Sequence, residues 1–384
     1  MVKIPISFVL EMDDVGWDDG RDLRLKGKAS RSGFPRNHTL EDYEFLNQLA
    51  EATGKKISVA LTMADWDKDN VLRGEVGITH DPYGWDRKSE IDVKKFEGYR
   101  DALDAGNLDF MVHSLLHGRY TEDGVRLTEK EFTPLEILPD GKPKFLFSEE
   151  DFRHRLDLFF KIFNSWGFEG KVRGIVFPSG VPKDKDIYTR ACKVLSEFGI
   201  IYWGDHFDFP EEIKIINGVA CFKWGMNDGD IPWNAYDFDP DVLGDYYAPG
   251  SDRNSCMHGS HWTNFLRFNP KKNVEGVEPW ARFYKRQSEI FGSALARDLP
   301  EAVNQLIHRA HSTVEKNADG YKIDLSGVSA TNFSALTPEF LVSFTKDEVP
   351  VACDGGSIDL YEEKKDFRTY KISYNTPVIT IKTK

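Results

Sequence analysis

The chain has 384 residues, with 50 Lys+Arg against 63 Asp+Glu, a formal net charge of −13, 40% hydrophobic and 29% charged residues. That is enough apolar material for one large domain and a small one, and an acidic chain without a local basic patch argues against nucleic acid and anionic membrane surfaces as partners. No apolar run approaches the roughly 18 residues that span a bilayer, and four scattered cysteines without a C-x-x-C pair exclude a metal knuckle and imply no disulfide framework.

The N-terminal residues lead directly into an apolar segment, Ile4–Leu10, without the charged head and cleavage site of a secretory leader. This reads as a cytoplasmic chain, or one whose leader has been removed. In chain order, short apolar runs rich in β-branched and aromatic residues then alternate with segments of helical period. The runs are Ile6–Met12, Ile57–Met63, Leu108–Val112, Gly174–Phe177, Ile200–Trp203, Val219–Trp224 and Ser255–His258. Helices are predicted from Thr39, with Asp42 three residues on, and from Ser148, with Asp151 three residues on. Both read as capping boxes in which Asp replaces Glu. Val93–Ala105, Asp184–Phe198 and Trp280–His308 complete the predicted helices.

Seven strands alternating with helices predict a parallel α/β sheet closed as a barrel over residues 1–315. From Asp319 onward the texture changes to short alternating runs, Tyr321–Ile323, Phe340–Phe344, Ser357–Tyr361, Thr369–Tyr374 and Val378–Ile381. These predict a small C-terminal all-β module over 316–384, built as a sandwich. Three long segments, Trp66–Asp92, Tyr120–Phe147 and Gly225–Asn254, carry Trp85, Trp233, Tyr236, Tyr246 and Tyr247. Long loops in a compact domain tend to be functional, and such rings either stack on sugar rings or pin their loops to the body.

Polar chemistry follows most of the predicted strands, as in a barrel active site. Strand one runs into Asp13-Asp14, strand two into Asp65-Trp66, strand three into His113, strand five into Asp205-His206 and strand seven into His258. In His113-Ser114-Leu115-Leu116-His117, two imidazoles at i and i+4 can converge on one metal. Adjacent carboxylates at an apolar strand end are costly unless a cation or distinct protonation roles offset them; one can ligate a metal while the other serves as general base. In His258-Gly259-Ser260-His261 either imidazole suits proton donation near neutrality. Phe177-Pro178-Ser179-Gly180 forms a turn able to aim backbone N–H groups at an oxyanion. The other histidines, His38, His80, His154, His206, His308 and His311, are assigned structural or surface roles.

On these residues the chain resembles the polysaccharide deacetylase family, the NodB-like group of carbohydrate esterases. The Asp13-Asp14 pair after strand one and the His-Ser-x-x-His of His113–His117 match that family's first two motifs in order and spacing. Pro178 and Gly180 match part of its third motif, an Arg-x-Pro-x-Gly turn, although Val176 stands at the Arg position. Trp203 and Asp205 echo the fourth loosely, and His258 or His261 supplies the histidine of the fifth. The resemblance covers about residues 5–270 and excludes the β-rich tail. It implies a distorted (β/α)7 barrel of the NodB type and a divalent metal, typically Zn2+ with Co2+, Mn2+ or Ni2+ as alternatives. Asp14, His113 and His117 would hold that metal, Asp13 would be the base, and a histidine the acid. Of the two histidines His261 is preferred, because Trp262-Thr263-Asn264-Phe265 begins immediately after it. Ser179 N–H would help hold the oxyanion.

The implied reaction is removal of an N-acetyl group from a sugar, polysaccharide or glycan precursor. Alternatives on the same scaffold are a cyclic amide or O-acyl ester hydrolase, or a carbohydrate-binding barrel without turnover. With Val176 in place of arginine, another cation is expected beside Asp13, Arg119 in preference to Arg173. Nothing in the sequence specifies an oligomeric partner.

Overall fold

The computed structural model describes residues 1–20, 33–79, 81, 83–121, 126–128, 130–141, 143–180, 184–226, 231–232, 234–247 and 255–384. Its main sheet contains seven parallel strands: β1 (Ile6–Val15), β2 (Ile57–Thr62), β3 (Leu108–Ser114), β4 (Val172–Val176), β5 (Tyr202–Asp205), β6 (Val219–Lys223) and β7 (Met257–His261). Their order is β6-β5-β4-β3-β2-β1-β7. Just past β6, Gly225–Met226 pair in parallel with His258 and Gly259 of β7. The two ends of the sheet therefore meet, and the architecture is barrel-like. A further short strand, β8 (Ser293–Leu295), pairs with Ile6–Phe8, so β1 is flanked by β8 over its first half and by β7 over its second.

Alternation along each strand divides the apolar residues between two cores. Phe8, Leu10, Met12, Val59, Leu61, Phe110 and Val112 face outward and pack with the covering helices. These are α1 (Leu40–Thr53), α2 (Val93–Leu103), α3 (Glu149–Ser165), α4 (Lys185–Glu197) and α5 (Val274–Ser288). Val9, Ala60, Met111, Val176, Phe222 and Met257 face inward and join Leu299, Val303, Leu306 and Ile307 of α6 (Leu299–His311). Helix α6 thus closes the N-terminal mouth of the sheet. Each such buried aliphatic side chain contributes about 1.5–3 kcal/mol relative to exposure. Among the described residues no helix is long and apolar enough to cross a membrane.

The local signals act where the sequence places them. At the start of α1 the Asp42 carboxylate accepts from Thr39 N, and at the start of α3 Ser148 accepts from Asp151 N. The continuous helix predicted over Trp280–His308 is corrected: α5 ends at Ser288, β8 intervenes, and α6 starts at Leu299. Three punctuation signals account for the break. Gly292 has a left-handed φ of 96°, Asp298 caps α6 through Glu301 N, and Pro300 occupies its first turn.

The C-terminal residues form two four-stranded antiparallel sheets. One contains Glu339–Thr345, Phe367–Tyr374 and Gly356–Glu363, and also takes in Val2–Lys3 from the N-terminus. The other contains Thr313–Asn317, Gly320–Asp324, Val378–Thr383 and Pro350–Asp354. Helix α6 binds this region through polar side chains. Asn304 donates to Glu339 O, Gln305 accepts from Leu341 N, and His308 Nδ1 donates to Asn304 O while its Nε2 accepts from the Tyr374 hydroxyl. Burial pushes the His308 pKa down to about 4, with the Asn304 bond a smaller opposing influence.

The unfolded chain consequently binds the His308 proton at a higher pH than the folded one, so this group adds stability above about pH 6.5 and loses it as pH falls toward 4. Urea midpoints of the wild type should fall across that window. A His308→Gln variant should show a shallower fall; an identical pH profile would remove His308 as the cause.

Candidate metal centre

Two irregularities, both against β2, build the site. Met12 pairs with Val59 and Val15 with Leu61, so Asp13 and Asp14 together oppose one residue, Ala60. Leu61 pairs with Val112 and Thr62 with Ser114, so His113 is the extra residue on β3. Such bulges bend the strand and re-aim its side chains. Asp14 sits at φ 61° and His117 at φ 55°, left-handed values that are uncommon for residues other than glycine and concentrate at functional sites. As a result Asp13 and Asp14, which regular alternation would send to opposite faces, both lie with His261, their ligand atoms within 4.8 Å of one another.

Asp14, His113 and His117 form a buried group that could hold a metal ion. Asp14 Oδ1 is 3.4 Å from His113 Nε2 and 3.2 Å from His117 Nε2. Ligand atoms of a tetrahedral site with bonds of about 2.1 Å are about 3.4 Å apart, so the spacing fits a cation at the centre. Among the described residues, Asp14 Oδ1 and His113 Nε2 are buried and make no hydrogen bond. Buried polar atoms are rarely left so, and here both are atoms that a cation would engage. The opposite nitrogen of His113, Nδ1, is 3.0 Å from Val176 O and donates to it, so in the neutral ring Nε2, directed at Asp14, is the nitrogen with a free lone pair. Burial opposes the Asp14 charge, but His117, His113 and His261 outweigh it and hold the carboxyl well below the usual carboxylate range. Burial likewise opposes a charge on His113; Asp14, Asp13 and the Val176 carbonyl overcome it and raise its pKa.

The two candidate acids separate by strand parity. His261 faces the two aspartates. His258, three residues earlier, faces outward among Tyr246, Phe283 and Tyr284, with ring centroids at 4.7, 5.8 and 5.6 Å, and is not brought to the centre. In the turn after β4, Pro178 is buried while Ser179, at φ 57°, is exposed and its Oγ accepts from Lys130 Nζ at 2.7 Å. Arg119 donates to Asp151 at 3.1 Å, near Arg155. Arg173 lies over the Tyr202 ring near the start of β4. Asp65 and Asp205 serve loop backbone instead, accepting from Asp18 N and His206 N.

The loop aromatics act mainly as anchors. Trp85 Nε1 donates to Asp67, Tyr247 donates to Ser255 O and stacks on Phe8, and Tyr246 is buried. Tyr236 is exposed beside the exposed Phe268. Of the other histidines, His38 lies between Phe34 and Trp262, and His154 pairs with Glu75. Trp233 and His80 lie outside the described residues.

Two buried carboxylates escaped the sequence reading. Glu131, fully buried, accepts from Leu115 N and Leu116 N at 2.8 Å and from Gly118 N at 3.3 Å, clamping the turn between the two histidines. It lies in a loop with no periodicity, and nothing in the sequence marks it. Glu11, also fully buried, accepts from Trp224 Nε1 at 3.1 Å and occupies space that exists only because residue 259 is glycine. A Cβ there would lie 2.2 Å from Glu11 Oε2. Its signal was legible, as a lone acid inside the apolar run Ile6–Met12. Replacing Glu131 by Gln turns an amide N–H toward backbone N–H groups and loosens the turn. Metal affinity, measured by competition with a chromophoric chelator, should fall about 10–100-fold; unchanged affinity would show that the clamp does not position His117.

No protein-family model matches the chain, and no curated protein matches it in sequence. Its fold is similar to the crystal structure of Agd3, a carbohydrate deacetylase, with a TM-score of 0.52 and 10% identity, over 99% of this chain and 65% of that one. It also matches the 4-alpha-glucanotransferase of Thermococcus litoralis at a TM-score of 0.41 and 12% identity, over 78% of this chain. A GH57-type branching enzyme of Pyrococcus horikoshii gives a TM-score of 0.38 and 12% identity over 79% of this chain and 77% of that one. The chain spans 40% of the glucanotransferase and just under two thirds of the deacetylase.

Proposed function

We propose that the protein is a metal-dependent hydrolase that removes N-acetyl groups from carbohydrate, on a seven-stranded barrel of the NodB type spanning residues 1–315, with 316–384 as an accessory β module. The observation that carries this reading is the buried Asp14, His113 and His117 group at the C-terminal ends of β1 and β3, with Asp13 and His261 beside it. Three nitrogen and oxygen donors leave coordination positions open, as in catalytic rather than structural zinc sites. The fold likeness to a carbohydrate deacetylase agrees with this reading.

Bound there, a divalent cation such as Zn2+ supplies Lewis-acid chemistry, lowering the pKa of water and polarising an acyl oxygen. Asp13 takes the proton of the attacking water through its carboxylate. His261, the more exposed member of the group, gives a proton to the departing sugar amine. The Ser179 N–H, presented by a left-handed turn, donates to the oxyanion as the carbonyl becomes tetrahedral. Glu131 holds the turn that carries His117, and Val176 O holds the tautomer of His113.

Acetate release from N-acetylhexosamine oligomers is the direct test. The metal-loaded wild type should release acetate and lose this activity after chelator dialysis. Asp13→Asn should keep the metal and lose about 10²–10⁴-fold in turnover, whereas His117→Ala should lose the metal by elemental analysis. A loaded enzyme that cleaves O-acetyl esters or cyclic imides but no N-acetyl sugar would replace this reading with its neighbour.

A further inference from the structure

The metal ligands and the residues proposed to act around them come from β1, β3, β7 and the turn after β4. Between β4 and β7 around the barrel lie β5 and β6, and strand parity identifies what these two present to the interior. On β5, Tyr202 faces inward, and so does Gly204, where a Cβ would lie 2.2 Å from the inward Met257. The next residue of that parity is His206. On β6, Ala220 and Phe222 face inward and are followed by Trp224.

His206 stands at the rim of this layer. Its Cδ2 lies 3.3 Å from where a Cβ on Gly180 would be, so the ring lies against the turn that presents Ser179. On its other side the ring centroid is 5.3 Å from that of Trp224. Trp224 Nε1 in turn reaches Glu11, and a Cβ on Gly259, two residues before His261, would lie 3.1 Å from it. His206 therefore stands in the sector between Ser179 and His261. Buried Asp205 fixes its backbone by accepting from His206 N at 2.7 Å. The imidazole itself is exposed, and among the described residues its ring nitrogens make no hydrogen bond.

Resting on the deacetylase reading above, we propose that His206 is a substrate-binding residue that hydrogen-bonds a hydroxyl of the sugar whose acetamide is cleaved. The placement follows from the two ends of the acetamide. Its oxygen goes to the Ser179 N–H and its nitrogen to His261, so the acetamide spans the sector of β5 and β6. The sugar joined to that nitrogen leaves the centre past the rim of the sector, where His206 stands. A neutral imidazole offers one N–H donor and one acceptor nitrogen, which matches a sugar hydroxyl in either role. His206 thereby favours a hydroxylated ring over an apolar amide.

His206→Phe keeps an aromatic ring against Gly180 and removes both nitrogens, whereas His206→Gln restores hydrogen bonding. With an N-acetylglucosamine trimer as substrate, His206→Phe should raise KM about 3–10-fold, the worth of one neutral hydrogen bond, and leave kcat and metal content within about twofold of wild type. Calorimetric titration of the trimer into Asp13→Asn protein should show the same loss of affinity when His206→Phe is added, and His206→Gln should recover most of it. A histidine with a structural role alone would lower kcat or metal content instead. Unchanged KM and affinity in His206→Phe, or a fall in kcat alone, would overturn the role of His206 and leave the deacetylase reading intact. A wild type that releases no acetate from any N-acetyl sugar would overturn that reading and this role with it.

Discussion

The left-handed turn at Asp14 is the constraint on which the site depends. A strand that kept its alternation would direct Asp13 into the sheet interior and Asp14 into the helical shell, among residues such as Met12 and Tyr43. The bulge against β2 and the φ of 61° bring both carboxylates to the interior. A left-handed residue other than glycine costs about 1–3 kcal/mol. That cost is sustained because β1 is held on both sides, by β2 along one edge and by β7 and β8 along the other. The same logic applies to His117, whose strained backbone is held by the three bonds that Glu131 accepts.

The frame around this turn is asymmetric along its axis. At the N-terminal mouth, the α6 side chains Leu299, Val303, Leu306 and Ile307 fill the interior with apolar atoms. Toward the opposite mouth the interior becomes polar, through Glu11 and then Asp13, Asp14, His113 and His261. The Asp14, His113 and His117 group thereby sits at the polar end, while the closed end provides rigidity. The contact of α6 with the C-terminal sheets extends that rigidity to the rest of the chain, through Asn304, Gln305 and His308.

The loops at the open end are tied down by side-chain bonds to backbone. Asp67 accepts from Val71 N, Leu72 N and Trp85, and Asn264 donates to Pro232 O and Ala235 O. Arg36 joins Asp42 of α1 through two bonds of 2.7 Å. Loops held in this way position their groups before a ligand arrives, which reduces the ordering cost of binding. The exposed rings of Tyr236 and Phe268 remain available on this surface.

The sequence by itself determined the order of the main strands and helices, the caps at Thr39 and Ser148, and the residues Asp13, Asp14, His113 and His117 as a chemical group. These follow from short-range pattern: apolar period, capping spacing, and polar residues at strand ends. Other features could be decided only in three dimensions. His258 and His261 are three residues apart in one short polar run, and which of them faces the aspartates depends on the registration of β7 against β1, where His261 pairs with Asp13. The engagement of Arg119 with Asp151, the Val176 carbonyl on His113, and the Glu131 clamp join residues 13 to 63 positions apart. Local pattern carries no information about such pairs, because what brings them together is the closing of the sheet and the bulges within it.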